Sequence, residues 1–174
     1  MTNASEQTFT YVVAIGSNRP LSARLHPTAL VDAAIDALDS PPLHLLARSH
    51  TIRSAPLGPS RRHYANAVAI VASSLPPPAL LDRLQAIERN HGRRRRQRWG
   101  ARTLDLDIIL WSGGIWTDPR LTVPHPAFRM RDFVLAPLAM LAPQWRDPGT
   151  GRTVAQLRRR LIARKPVDPR ANPL

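Results

Sequence analysis

The chain of 174 residues contains no cysteine, which excludes disulfide scaffolds, thiolate zinc sites, CxxC redox chemistry and thiol nucleophiles together. Lysine is almost missing. Lys165, followed by Pro166, stands alone, so a GxxxxGK[ST] phosphate loop cannot be built, and no GxGxxG occurs either. Long apolar runs are absent too: the longest uncharged one, Phe133 to Pro143, is eleven residues and carries two prolines, well short of the roughly 20 residues a membrane span requires. No basic segment precedes an apolar one at the start, so no secretory signal is expected. These absences predict a reduced, cytoplasmic setting and no membrane partner.

What is present in excess is positive charge. Against 12 acidic side chains stand 25 basic ones, a net charge of +13, and such a balance favours anionic partners. Its distribution is uneven: Arg89, Arg93, Arg94, Arg95, Arg96, Arg98 and Arg102 fall close together, with no acidic residue between Glu88 and Asp105. Hydrophobic residues at 43% and charged residues at 21% place the chain among globular proteins. Its length is that of one domain, predicted over residues 9–163, between a flexible N-terminus (1–8) and a loose tail (164–174).

Tyr11 to Ile15 reads as a strand running into Gly16, Ser17 and Asn18. From Pro27, Leu30, Val31, Ala34, Ile35 and Leu38 recur at helical spacing, with Asp32, Asp36 and Asp39 on the other face. Leu43 to Ile52 and Tyr64 to Ala72 predict two strands, and Leu80, Leu81, Leu84 and Ile87 a second helix ending at Gly92. Leu104, Leu106, Ile108 and Leu110 alternate with Asp105 and Asp107, which predicts a strand with an acidic face. Gly113-Gly114 suggests a hairpin turn into Ile115-Trp116. Arg129 to Leu141 predicts a helix despite Pro137, and Thr153 can cap a last one carrying Val154, Leu157 and Leu161. The order strand, helix, strand, strand, helix, strand is that of an α+β, ferredoxin-like sandwich: a mainly antiparallel sheet with helices packed on it.

Asp105 and Asp107 are the sharpest local feature. Two residues apart on a strand, they share a face at about 7 Å between Cα atoms, and two anions that close repel. A hard divalent cation offsets the repulsion, and Mg²⁺ that is also held by substrate phosphates suits such a pair. Alone, the pair would be read as solvent-facing carboxylates balanced by arginines. After an arginine-rich loop it points to phosphoryl transfer, where metal and guanidinium together neutralise the moving group.

Arg98-Trp-Gly-Ala-Arg-Thr-Leu-Asp-Leu-Asp-Ile-Ile109 resembles the signature of the hydroxymethyldihydropterin pyrophosphokinases, folate-pathway enzymes that move a pyrophosphoryl group from ATP to a pterin alcohol. The resemblance runs through Ile15 to Asn18, Pro56 to Pro59, Tyr64 to Ala67, Gln85 to Glu88, Gly92-Arg93, Leu121 to His125, Arg131 and Phe133. It implies that Asp105 and Asp107 hold two Mg²⁺ ions on the ATP phosphates, and that Arg93 and Arg102 stabilise the transferring group. It implies nucleotide contacts at Gln85, Glu88, Arg95, Trp99, Ile108, Arg120, Thr122, His125 and Arg131. The pterin is expected between Tyr64 and Phe133, read by Asn66 and by the stretch Ser54, Pro56 and Leu57. ATP is then the co-substrate, and a monomer acting on small molecules is expected. The Arg94 to Arg98 loop with Trp99 is expected to close over ATP as a lid. Ala55, Ala101 and Pro126 depart from residues common in the family, without loss of a charged group.

A nucleic-acid-binding module would explain the arginines but not the aspartates, which repel a phosphate backbone unless a metal intervenes, and no RNP, KH or zinc-finger pattern is present. No nucleic-acid partner is therefore expected. A metal-dependent nuclease would account for both features and is the weaker alternative.

Overall fold

Both faces of Phe9–Ser17 (β1) are apolar, so this strand is covered on two sides. In the computed structural model, which describes residues 7–22, 25–55, 63–92 and 103–163, Tyr11, Val13 and Ile15 enter one core and Val12 another. Tyr64–Ser73 (β4) runs antiparallel beside β1, with Ala65, Ala67, Ala69 and Val71 in the first core and Val68 in the second. Asp105–Trp111 (β5) pairs with the other side of β1, and Leu43–Arg48 (β2) and Ile52–Ser54 (β3) pair with β4, all antiparallel. The order β2-β4-β1-β5 leaves β5 at one edge.

Pro27–Ala37 (α1) and Pro77–Asn90 (α2) cover one face, burying Val31, Ala34, Ile35, Leu80, Leu84 and Ile87. Both start with a proline in the first turn, where its missing N–H costs nothing. Asp132–Leu141 (α3) and Val154–Ala163 (α4) cover the opposite face through Val134, Leu135, Leu138, Val154, Leu157 and Leu161. With β2 and β3 taken together as the second strand, the order strand, helix, strand, strand, helix, strand around one antiparallel sheet is the ferredoxin-like arrangement expected, with α3 and α4 added on the open face. Thr153 does cap α4: its Oγ1 accepts the Gln156 N–H while the Gln156 Oε1 accepts the Thr153 N–H, at 3.2 and 3.0 Å.

Four expectations are corrected. The strand predicted over Leu43 to Ile52 is two, because at Ser49 a side chain replaces half of the ladder: the Ser49 N–H still bonds to the Val68 carbonyl at 2.9 Å, but the Val68 N–H is accepted at 3.0 Å by the Ser49 Oγ, which donates to the His50 carbonyl. Leu110 does not share a face with Leu104, Leu106 and Ile108. A β-bulge places Val12 opposite Leu110 and Val13 opposite Ile108, so Ile109 is the extra residue and Leu110 turns into the second core. Gly113-Gly114 does turn the chain, with Gly114 at φ +102°, but not into a hairpin with β5. Instead Trp116–Thr117 (β6) pairs with Thr122–Val123 (β7). Asp118 makes that turn, its carboxylate accepting the Trp116 indole N–H and the N–H groups of Arg120 and Leu121. The last correction shortens the helix predicted from Arg129. It begins at Asp132, behind a separate 3₁₀ turn over Phe128–Met130, because Arg131 is extended.

Candidate active site

Cross-strand register assembles the site. Ile52, Asn66, Gly16 and Asp105 form one row across β3, β4, β1 and β5, and Val68, Ala14 and Asp107 the next. Residues in register share a face, and this face is the one covered farther along by α3 and α4. Both aspartates therefore share one side of the sheet, as their spacing predicts, and the register puts Asn66 on that side too.

The Asn66 Nδ2 donates to Ser54 Oγ at 2.7 Å. That bond turns the Asn66 Oδ1 toward Gly16, where a Cβ would stand 3.4 Å away. Tyr64, opposite Ser54 in register, is half-buried. Helix α3 lies against β3 and β4, which brings Phe133, in its first turn, to this side of the sheet. The Arg131 guanidinium sits 5.8 Å from the Phe133 ring centroid.

Asp107 is approached from two directions. Arg131 Nη1 lies 3.6 Å and His125 Nε2 3.9 Å from its Oδ2. The bulge contributes here, because the Ile109 carbonyl accepts the His125 N–H at 3.0 Å and so ties the chain after β7 to β5. The His125 Nδ1 accepts the Ala127 N–H at 3.1 Å, which in the neutral ring leaves the proton on Nε2, facing Asp107. Burial lowers the His125 pKa; the negative charges of Asp107 and Asp105 oppose this and Arg131 reinforces it. The imidazole is thus held neutral at pH 7, as a hydrogen-bond donor rather than a cation.

On the other side of β5, Glu88 of α2 is buried, and its Oε1 accepts the Leu106 N–H at 2.8 Å. Gln85 lies one turn earlier on α2 and is half-buried. Arg120 and Thr122 are exposed on the β6–β7 hairpin, where Arg120 pairs with Asp82 of α2. Ile108 turns its side chain into the core beneath α1 and α2, away from the aspartates. Pro56, Leu57, Arg93, Arg95, Trp99 and Arg102 lie outside the described residues, as does the expected lid. Sequence reasoning missed Asp82 as the partner of Arg120 and Asp118 as the organiser of the hairpin. Asp118-Pro-Arg-Leu121 carried a signal for the latter, since Asp before Pro favours a side-chain-closed turn.

Among the described residues no group of three or more His, Asp or Glu could hold a metal by itself. The donor set nonetheless fits magnesium, which keeps waters and substrate phosphates in its shell and takes only one or two carboxylates from a protein.

A family profile described as 7,8-dihydro-6-hydroxymethylpterin-pyrophosphokinase (HPPK) matches residues 12–143. The chain belongs to this family. The 2-amino-4-hydroxy-6-hydroxymethyldihydropteridine pyrophosphokinase of Pseudomonas aeruginosa is 46% identical over 147 residues, covering 83% of this chain and 87% of the relative. That of Haemophilus influenzae is 42% identical over 135 residues, 76% of this chain and 81% of the relative. The Synechocystis enzyme is 48% identical over 105 residues, 60% of this chain and 54% of its own length, so the chain spans about half of that relative. Among solved structures, an HPPK-DHPS in complex with substrates superposes with a TM-score of 0.69 at 10% identity, covering 90% of this chain and 44% of that one. A Plasmodium falciparum HPPK-DHPS gives 0.66 at 11% identity over 93% and 46%. The pyrophosphokinase fold is thereby shown, on chains of which this one spans less than half. The HPPK family acts on hydroxymethyldihydropterin in folate biosynthesis and uses ATP as co-substrate. Among the described residues no helix is long and apolar enough to cross a membrane.

Proposed function

We propose that the chain transfers the pyrophosphoryl group of ATP to 6-hydroxymethyl-7,8-dihydropterin, releasing AMP, at the end of the sheet face that carries Asn66, Asp105 and Asp107. One observation carries this reading. The row that runs through Asn66 also runs through Asp105, so a group able to read a heterocyclic amide edge and a carboxylate pair suited to a phosphate-bound cation stand on one surface.

The side chains divide the work. With its Nδ2 committed to Ser54, Asn66 offers Oδ1 as a fixed acceptor for a pterin N–H. Tyr64 and Phe133 supply the ring faces that hold a flat heteroaromatic, and the family resemblance adds Pro56 and Leu57 to the pterin contacts. Asp105 and Asp107 would hold the magnesium, two ions in the family's scheme, and magnesium bound there draws charge off the ATP phosphates. His125 and Arg131 offer an N–H and a guanidinium to oxygens of the nucleotide. Gln85, Arg95, Trp99, Arg120 and Thr122 belong to its surroundings, with the backbone of Ile108, whose side chain packs into the core, and with Glu88 behind them, bonded to the Leu106 N–H; Arg93 and Arg102 belong to the transferring group. The pterin alcohol oxygen forms a bond to the β-phosphorus as the bond from that phosphorus to the α-phosphate oxygen breaks, in line. Little covalent help is needed, so catalysis is positioning and charge stabilisation. We read the enzyme as a cytoplasmic monomer whose residues 9–163 form the working domain.

The assay follows from the stoichiometry. Protein, Mg²⁺, ATP and hydroxymethyldihydropterin should yield AMP and the pterin diphosphate in equal amounts, and no AMP without the pterin. ADP as the product, or AMP formed regardless of pterin, would overturn the assignment.

A further inference from the structure

An edge strand presents a row of backbone groups with no neighbouring strand to receive them. In β5 that row includes Leu106, the residue between the two aspartates. Asp105 and Asp107 are in register with Gly16 and Ala14 of β1. In an antiparallel ladder, alternate residues turn their N–H and C=O to opposite edges. The Leu106 N–H points to the open edge, and there it meets a carboxylate, the Oε1 of Glu88 at 2.8 Å. Glu88 is only 3% exposed, and it follows Ile87, which with Leu80 and Leu84 anchors α2 in the core. A charge-assisted bond from a rigid helix thus stands where a further strand would have been.

We propose that Glu88 is a positioning residue for the carboxylate pair. By fixing the peptide plane at Leu106 it fixes the pleat of β5, and with it the direction in which Asp105 and Asp107 point toward a shared cation. This rests on the metal role proposed above for those aspartates, and goes beyond the nucleotide contact that family resemblance implies for Glu88. The two roles make different demands. Positioning needs an acceptor oxygen at Oε1; a direct contact to the metal needs the negative charge.

Glu88→Gln keeps the oxygen and removes the charge, whereas Glu88→Met keeps the length and removes the acceptor. The readouts are the hydrogen-exchange rate of the Leu106 amide, followed by NMR, and the affinity for Mn²⁺ in the presence of an unreactive ATP analogue, with thermal melting to establish that each variant is folded. In Glu88→Met, exchange at Leu106 should accelerate and Mn²⁺ binding weaken by roughly 10–100-fold, the usual effect of losing an outer-shell partner. Glu88→Gln should stay close to the wild type in both. Mn²⁺ binding as weak in Glu88→Gln as in Asp107→Asn would overturn the proposal in favour of a charge role, and this variant decides the matter even if Glu88→Met fails to fold. A folded Glu88→Met with unaltered Mn²⁺ affinity would also overturn it. Wild-type Mn²⁺ binding that survives Asp107→Asn would instead overturn the metal reading, and this inference with it.

Discussion

Asp107 is held in place by competing neighbours: Arg131 and His125 approach its carboxylate, Asp105 stands two residues away, and the strand beneath fixes its direction. Replacing Asp105 or Asp107 by Asn removes a charge but little volume. Turnover should fall on the order of 10²-fold or more, as when a group that stabilises transition-state charge is lost. Melting temperature should move by no more than a few degrees, because both positions are half-exposed and ion pairs of that kind contribute about 1 kcal/mol or less. Steady-state rates and calorimetry on the two variants check this, and near-normal turnover would refute the metal role. At this scale part of the site was legible. The Asp-Leu-Asp spacing on an alternating strand is a direct statement about facing, and His125 between two prolines stood out. The approach of Arg131 to Asp107 was not derivable, since it depends on a 3₁₀ turn, and the Glu88 bond depends on which edge of the sheet β5 occupies.

Elements with a strong period were legible, and those shaped by a partner were not. Helices α1, α2 and α4 announce themselves through apolar spacing and, for α4, through a cap. That cap gives a direct test: Thr153→Ala removes the hydroxyl that receives the Gln156 N–H and should cost about 1 kcal/mol. For a chain of this length the melting temperature then falls by about 2–4 °C, read by thermal unfolding, with kinetic constants unchanged because Thr153 pairs with Arg146, outside the site. The bulge at Ile109 and the break at Ser49 left no comparable signal. Each follows from how one strand meets its neighbour: Ser49 through a side-chain bond to Val68, Ile109 through an extra residue opposite β1. The bulge is nonetheless what leaves the Ile109 carbonyl to accept the His125 N–H.

Across the whole molecule, acid stability should be governed in part by the pair Arg129 and Asp147, to which the site assigns no role. The Asp147 carboxylate, with no solvent exposure, accepts two bonds from Arg129 at 2.7 Å each, one from Thr150 and one from the Gly149 N–H. Burial works to raise its pKa, but the bonds from Arg129, Thr150 and Gly149 and the Arg129 charge outweigh it and hold the carboxyl below its ordinary value. A carboxyl depressed in the fold stabilises it fully above the unfolded pKa of about 4. That contribution is lost as pH falls through the folded value. Urea titrations between pH 7 and pH 2 should show stability declining below about pH 4, and Asp147→Asn should be less stable at neutral pH with a shallower acid decline. The loss should lie below the roughly 3–5 kcal/mol of fully buried pairs, because Arg129 keeps 30% of its surface in water. An unchanged acid limb in Asp147→Asn would refute this role.

The sheet also separates two kinds of selection. In β1 and β4 the odd-numbered residues, and in β5 the even-numbered ones before the bulge, enter the layer under α1 and α2, where volume and apolarity are all that natural drift has to respect. The other parity, at the end that carries Gly16, Asn66 and Asp105, is answerable to reactants as well as to neighbours. Divergence on the first side can proceed by compensating swaps of size, whereas on the second a swap that packs equally well can still silence the enzyme.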